Sequence, residues 1–275
     1  MQRTQARTQP DARLATTVAG LRLEAPCIVA SSVLTGDTER IGKAASCGAA
    51  GVSTKMAMVG KGPRSLPDVI LRPGSGGIVS SGDRRLSVED ACDLVRLTKE
   101  QTQLMVFANL LAPADDDSAW QRAAVQLQRA GADAVELDLS CPNLPGVSSR
   151  RSVAQCPTAS ERITRAVKAA VDVPVLCKLT AQVVEIAEIA RACEHGGADG
   201  IVAINGLGAV PEIDIRREGR ARYLTLDAHC FGALTGAPLF PVACRAVAEV
   251  ARSVAIPVVG CGGVSTWEDA VQMMM

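Results

Sequence analysis

Residues 129–143 read RAGADAVELDLSCPN, and this stretch decides the architecture. A helical segment stops at Gly131, an Ala-Asp link follows, and an apolar strand runs into a polar tip of Asp138, Ser140, Cys141 and Asn143, bounded by Pro142. A glycine just past the last helical turn is the usual helix stop. The junction recurs as HGGADGIVA at 195–203 and, more loosely, as SCGAAGVST at 46–54. A helix–Gly–Ala–strand junction that returns along a chain marks a repeating β/α unit. A core strand has no structural need for a polar tip, whereas barrel enzymes keep their chemistry at such ends.

Working outward, seven strands are expected: CIVAS (27–31), GVSTK (51–55), LMVFANL (104–110), AVELDLS (134–140), VPVLCKL (173–179), GIVAIN (200–205) and IPVVGCG (256–262). Each reads as a continuous apolar run, as strands of a parallel sheet covered on both faces do. Amphipathic segments predict helices near 38–47, 87–100, 119–130, 158–171, 183–195 and 239–253, with a seventh starting at Thr266. Thr158 with Glu161 three residues on reads as a capping box. Within ADDDSAW (114–120) an Asp or Ser is expected to cap the next helix. No G-x-G-x-x-G follows the first strand, which sets aside a doubly wound dinucleotide fold. The fold expected is therefore an α/β barrel of the TIM (β/α)8 type, with seven strands readable and the eighth missing from this chain. Residues 1–17 are expected to form a disordered lead-in, and 18–275 one barrel domain, C-terminally incomplete.

Composition narrows the function. Hydrophobic residues make up 48% of the chain and aromatics 2%, so Ala, Val, Leu and Ile must build the core. The 29 basic and 29 acidic residues balance, leaving no field to collect nucleic acid or an anionic membrane. None of the ten cysteines forms a C-x-x-C pair, which argues against a zinc ribbon, an iron–sulfur cluster or a dithiol site, and no metal is expected. Thiols inside apolar runs fit a reduced, cytoplasmic location. No apolar run is long enough to span a membrane.

In a barrel the strand tips converge on one rim. Those tips carry Ser31, Lys55, Asn109, Asp138 with Cys141 and Asn143, Lys178, Asn205, and Gly262 with Gly263. Two lysines suit a phosphate or an electron-poor ring, and asparagines suit a planar ring rich in amides. The Gly-Gly turn before a helix N-terminus near Thr266 would let backbone N–H groups approach a phosphate. Cys141 in a proline-bounded turn is a candidate proton acceptor. The connection from 206 to 237, which contains His229, is long enough to act as a lid, and SSRRS (148–152) reads as a solvated loop beside the Cys141 turn.

ELDLSCPN (136–143) closely resembles the ELNLSCPN signature of the dihydroorotate dehydrogenase superfamily of flavoprotein barrels, which includes dihydropyrimidine dehydrogenases. The stretch 173–205 resembles that family's Lys-Leu-Ser/Thr strand end, helix and Asn-tipped strand. LTGAPLFPVACRAVAEVA (234–251) looks like its Ser/Thr-Gly-x-x-x-x-Pro helix, and IPVVGCGGVSTWEDA (256–270) like its phosphate loop. The resemblance implies FMN at the carboxyl end of the barrel, held by Ser31, Lys55, Asn109, Lys178, Asn205, Gly236, Gly262 and Gly263. It implies a small cyclic substrate met by Lys55, Asp138, Asn143 and Asn205, with Cys141 as the base and flavin as hydride acceptor. A separate electron-transfer subunit and a homodimer are also implied, since the chain carries no dinucleotide or cluster motif of its own.

Three positions depart from the family pattern. Asp138 stands for an Asn, Gly206 follows Asn205 where Thr or Ser is usual, and Ser80 and Ser81 stand where the family has an Asn. The first replaces an amide donor with a negative charge, which would repel an orotate-like carboxylate. The missing eighth strand implies a fragment, closure by a partner, or loss of FMN. The last would make the chain a non-catalytic barrel remnant or scaffold.

Overall fold

A computed structural model describes residues 12–60, 70–71, 78–80, 85–140, 153–209, 213–216, 220–221 and 232–275. Its centre is a curled parallel sheet of β1 (Ile28–Val29), β2 (Gly51–Ser53), β3 (Met105–Leu111), β4 (Ala134–Asp138), β5 (Val175–Leu179), β6 (Gly200–Ala203) and β7 (Val258–Gly260). Every neighbouring pair is parallel and the strands lie in strict chain order. A doubly wound sheet would reverse its order at a switch point. This one does not, so the α/β barrel reading holds, with seven strands of the TIM type among the described residues.

Helices α1 (Thr38–Ser46), α2 (Val88–Gln101), α3 (Asp117–Arg129), α4 (Pro157–Lys168), α5 (Ile186–His195) and α6 (Phe240–Ala251) connect successive strands, and α7 (Trp267–Met274) follows β7. Each overlaps the segment expected from periodicity. None is long and apolar enough to cross a membrane. The capping box expected at Thr158 does not form: α4 starts at Pro157 with Cys156 as its N-cap residue and no side-chain cap. Proline's fixed φ suits the first helical position, where its missing N–H costs nothing, so the helix begins earlier than Thr158 could cap it. Asp116 caps α3 by accepting from the Ala119 N–H, as the acidic loop suggested.

The recurring Gly-Ala-Asp junction has a structural reason. Gly131 and Gly197 both take positive φ, at 103° and 91°, which turns the chain out of its helix. The aspartate that follows then serves the preceding strand in the sheet. Asp133 accepts the Val106 N–H at 2.7 Å and pairs with Lys99 at 2.8 Å. Asp199 accepts the Val175 N–H at 2.7 Å and pairs with Lys168 at 2.6 Å. One side chain thus satisfies a donor near the start of a strand and ties it to a helix end.

The strands were expected to be apolar throughout, but their two faces differ. Val106, Ala108, Leu110, Val135, Leu137, Val175, Cys177, Leu179, Ile201 and Ala203 face the helices in the main core. Phe107, Ala134, Leu176 and Val202 point the other way and form a second core with Val18 and Leu23. The latter two belong to an antiparallel hairpin, Thr16–Val18 with Leu21–Leu23, which closes the amino end of the sheet's inner face. Its first strand straddles the boundary placed at residue 18. Further toward the carboxyl ends the inner face becomes polar, with Asn109, Glu136, Asp138 and Lys178 all buried.

A second sheet lies beyond the strand tips in sequence. Leu207–Ala209, Gly232–Thr235, Ile78–Ser80 and Ile70–Leu71 pair antiparallel in that order. It joins the connection after β6 to the segment after β2, so the stretch read as one long loop contains strands. His229 and the SSRRS segment lie outside the described residues.

Candidate active site

The inner face of β3, β4 and β5 assembles the centre of the site. Asn109 and Glu136 are register partners, as are Asp138 and Lys178. Glu136 Oε1 accepts from Asn109 Nδ2 at 2.7 Å and lies 3.3 Å from Lys178 Nζ. The Lys178 and Glu136 side chains are only 4% and 5% exposed, so this ion pair is internal. Burial on its own would lower the Lys178 pKa. Glu136, Cys261 and Asp138 together outweigh it and hold the ammonium above its ordinary range. Cys261 follows β7, and burial raises its thiol pKa, against the pull of Lys178 and with a further push from Glu136.

Asp138 ends β4. Its Oδ1 accepts from Asn205 Nδ2 at 2.9 Å and from the Ser140 N–H at 3.2 Å. Asn205 also reaches Ser140 Oγ at 3.3 Å, and its own Oδ1 accepts from the Gly206 N–H at 2.9 Å. Both ends of the Asn205 amide are thus engaged inside the protein. Burial raises the Asp138 pKa; Lys178 and the two hydrogen bonds oppose it, Glu136 adds to it, and the net shift is upward.

The β1 and β2 tips are stitched to one another and to β3. The Lys55 N–H donates to Thr35 O at 2.8 Å, and Thr35 lies in the 3-10 turn Val33–Thr35 just after Ser31. Thr54 Oγ1 accepts the Asn109 N–H at 3.1 Å. Ser53 Oγ and Asn109 Oδ1 are buried and have no hydrogen-bond partner among the described residues. Buried polar atoms are rarely left so, which makes these two acceptors for a group that enters the site.

The glycines meet at the far side. A Cβ on Gly263, where φ is +75°, would come within 2.5 Å of Phe240 N and 2.8 Å of Gly236 O. The Gly262–Gly263 turn therefore rests directly on the start of α6. The helix N-terminus expected to face a phosphate, that at Thr266, is closed by a capping box between Thr266 and Asp269. Asp269 accepts from the Ser265 and Thr266 N–H groups at 2.9 and 3.0 Å in a capping box. At this turn α6 begins after the 3-10 turn Ala237–Leu239 that follows Gly236, and its N-cap residue Leu239 makes no side-chain cap.

Lys178, Asn109, Asp138 and Asn205 thus form one contiguous set, with Gly262 and Gly263 continuing from Cys261 beside it. Ser31 and Lys55 sit on the adjoining β1 and β2 tips. Cys141 and Asn143 lie outside the described residues. Sequence reasoning missed Glu136, because it sought polar groups past strand ends and Glu136 sits inside its strand. The signal was there: Glu136 and Asp138 alternate in an otherwise apolar run, the period that puts two side chains on one face. Among the described residues no cluster of His, Cys, Asp or Glu is placed to hold a metal. The residues do fit a flavin mononucleotide. Asn109 Oδ1 is an unpartnered acceptor for a ring N–H, Lys178 a cation for an electron-rich ring edge, and the glycine turn with the α6 start a place for phosphate.

The family model described as dihydroorotate dehydrogenase matches residues 13–275. Among similar curated proteins is the dihydroorotate dehydrogenase B (NAD(+)) catalytic subunit of Methanothermobacter thermautotrophicus, 33% identical over 95% of this chain and 82% of that protein. The catalytic subunit of the same name from Thermoplasma acidophilum is 34% identical over 96% of this chain and 84% of its own length. That from Methanosarcina acetivorans is 36% identical, with 93% and 79% covered.

Proposed function

This chain belongs to the dihydroorotate dehydrogenase family, a family of FMN-binding oxidoreductases, and from that premise we propose how its site works. The reaction is the interconversion of a ring CH–CH bond and a C=C bond in a dihydropyrimidine or a related cyclic substrate. FMN, when bound, supplies the acceptor for the hydride leaving one ring carbon. Cys141 takes the proton leaving the adjacent carbon, so the two hydrogens depart as a proton and a hydride and the double bond forms. Asn143 orients the ring, and Asp138 with Asn205 borders it. Lys178 and Asn109 hold the flavin ring, and Gly236, Gly262 and Gly263 its phosphate. Electrons leave through a separate subunit, in keeping with relatives that are themselves named as NAD(+)-dependent catalytic subunits.

The observation that carries this reading is the buried Asn109–Glu136–Lys178 network, with an acceptor left open on Asn109. A barrel kept only as a scaffold would be as stable or more so with apolar residues there, since a buried ion pair adds little stability of its own. The test is rapid-mixing reduction of the FMN-loaded protein by dihydroorotate and by dihydrouracil. Cys141→Ser should retain FMN and slow that step by about 10²–10⁴-fold, the range for a positioned base. A protein that takes up no FMN, or a Cys141→Ser variant reduced at the wild-type rate, would contradict the reading.

A further inference from the structure

We propose that Glu136 is a positioning residue that sets both the orientation of Asn109 and the charge that Lys178 presents to a bound flavin. The inference rests on the reading of the site given above. A carboxylate can only accept hydrogen bonds, so its 2.7 Å contact turns the NH2 end of Asn109 toward Glu136 and leaves Oδ1 as the buried, unpartnered end. The same oxygen lies 3.3 Å from Lys178 Nζ. One carboxylate on β4 therefore organises a side chain from β3 and another from β5.

The charges around this centre make its effect specific. Lys178 faces Glu136 and Asp138 of β4 and Cys261 after β7, and is the cation of that group. With the Glu136 carboxylate so close, much of the ammonium charge is already countered before any ligand arrives. Reduced flavin is richer in electrons than oxidised flavin, so an uncountered cation would favour the reduced form. Glu136 restrains that preference while keeping Lys178 in place. An ordinary structural part does not account for it, because Glu136 caps no helix end and an apolar residue at its position would cost less to bury.

The experiment compares wild type, Glu136→Gln and Glu136→Gln/Lys178→Met, each loaded with FMN, by midpoint potential and by FMN titration of the apoprotein. Glutamine keeps an acceptor for Asn109 but removes the charge. It should favour reduced over oxidised flavin by about tenfold more than wild type, about 30 mV upward for a two-electron couple. The double variant removes both charges of the pair together, so the net charge of this centre is unchanged and the potential stays near that of wild type. A Glu136→Gln potential equal to wild type overturns the inference. So does a double variant whose potential falls by about tenfold in equilibrium constant, since the lysine charge would then have been acting uncountered. The double variant decides the matter even if Glu136→Gln alone does not fold. A wild-type chain that binds no FMN overturns the functional reading and this inference with it, whereas bound FMN with unshifted potentials overturns the inference alone.

Discussion

Asn205 donates its side-chain N–H to Asp138 Oδ1 at 2.9 Å, tying the tip of the fourth strand to the tip of the sixth. The contact spends the Asn205 amide on the protein and fixes a carboxylate at the rim. That carboxylate is 6% exposed, and burial raises its pKa. A carboxyl group with a raised folded-state pKa binds its proton more tightly when folded. Its ionisation therefore subtracts stability as pH rises from the unfolded pKa to the folded one, and the loss is constant above that.

Asp138→Asn should accordingly melt higher than wild type at pH 7, since an amide oxygen still accepts from Asn205 and Ser140 without a buried charge. The advantage should shrink as pH falls through the raised Asp138 pKa and vanish where wild-type Asp138 is protonated in both states. Thermal melts across that range measure it; a gap that widens in acid would refute the argument. The same substitution bears on ligand choice. Two carboxylates about 4 Å apart repel by roughly 1–4 kcal/mol, depending on the effective dielectric. Orotate should thus bind Asp138→Asn tighter than wild type by about tenfold or more, and equal dissociation constants would place Asp138 away from the ligand.

A different aspartate tests the repeat. Asp199 accepts the Val175 N–H and pairs with Lys168. In Asp199→Ala that N–H, at the start of a fully buried strand, loses its acceptor, which typically costs about 1–3 kcal/mol. Asp199→Asn keeps an acceptor and loses only a partly exposed ion pair, about 0–1 kcal/mol. Denaturant midpoints of the two variants should differ in that order, with FMN affinity unchanged in both. Equal midpoints would mean the Lys168 pair, and not the strand donor, is what Asp199 serves.

That junction also explains why so much of the fold was legible. Gly-Ala-Asp is readable because three residue types each do one physical job: a positive-φ helix exit, a small link and a strand acceptor. The apolar runs located the seven strands because their outward faces are uniformly Val, Leu, Ile, Ala or Cys. The hairpin at Thr16–Leu23 and the antiparallel sheet around Gly232–Thr235 were not legible, since segments such as TTV, LRL and GALT mix polar and apolar residues and form no continuous apolar run. At the site, Asn109, Asp138, Lys178 and Asn205 stood out as polar residues at or near strand ends. Lys178 read as a cation facing a ligand alone, whereas it is half of an internal ion pair. Its partner escaped notice because a glutamate two residues before a strand tip announces itself only once the inward face is known.

The glycine turn supplies the last test. Gly263 has φ at +75°, and a Cβ there would lie 2.5 Å from Phe240 N, 2.8 Å from Gly236 O and 2.9 Å from Phe240 Cα. All three are backbone atoms, so no side chain can swing aside to make room. Gly263→Ala must therefore push the turn away from the start of α6, besides straining a left-handed backbone by about 1–2 kcal/mol. Both segments belong to the surface read as the phosphate site. The variant should bind FMN at least about tenfold more weakly, a loss of about 1.4 kcal/mol. Riboflavin, which lacks the phosphate, should lose much less. Titrating each flavin against apoprotein separates the two outcomes. Equal losses for FMN and riboflavin would mean that the substitution disturbs the ring site, and no loss for either would remove this turn from the flavin site altogether.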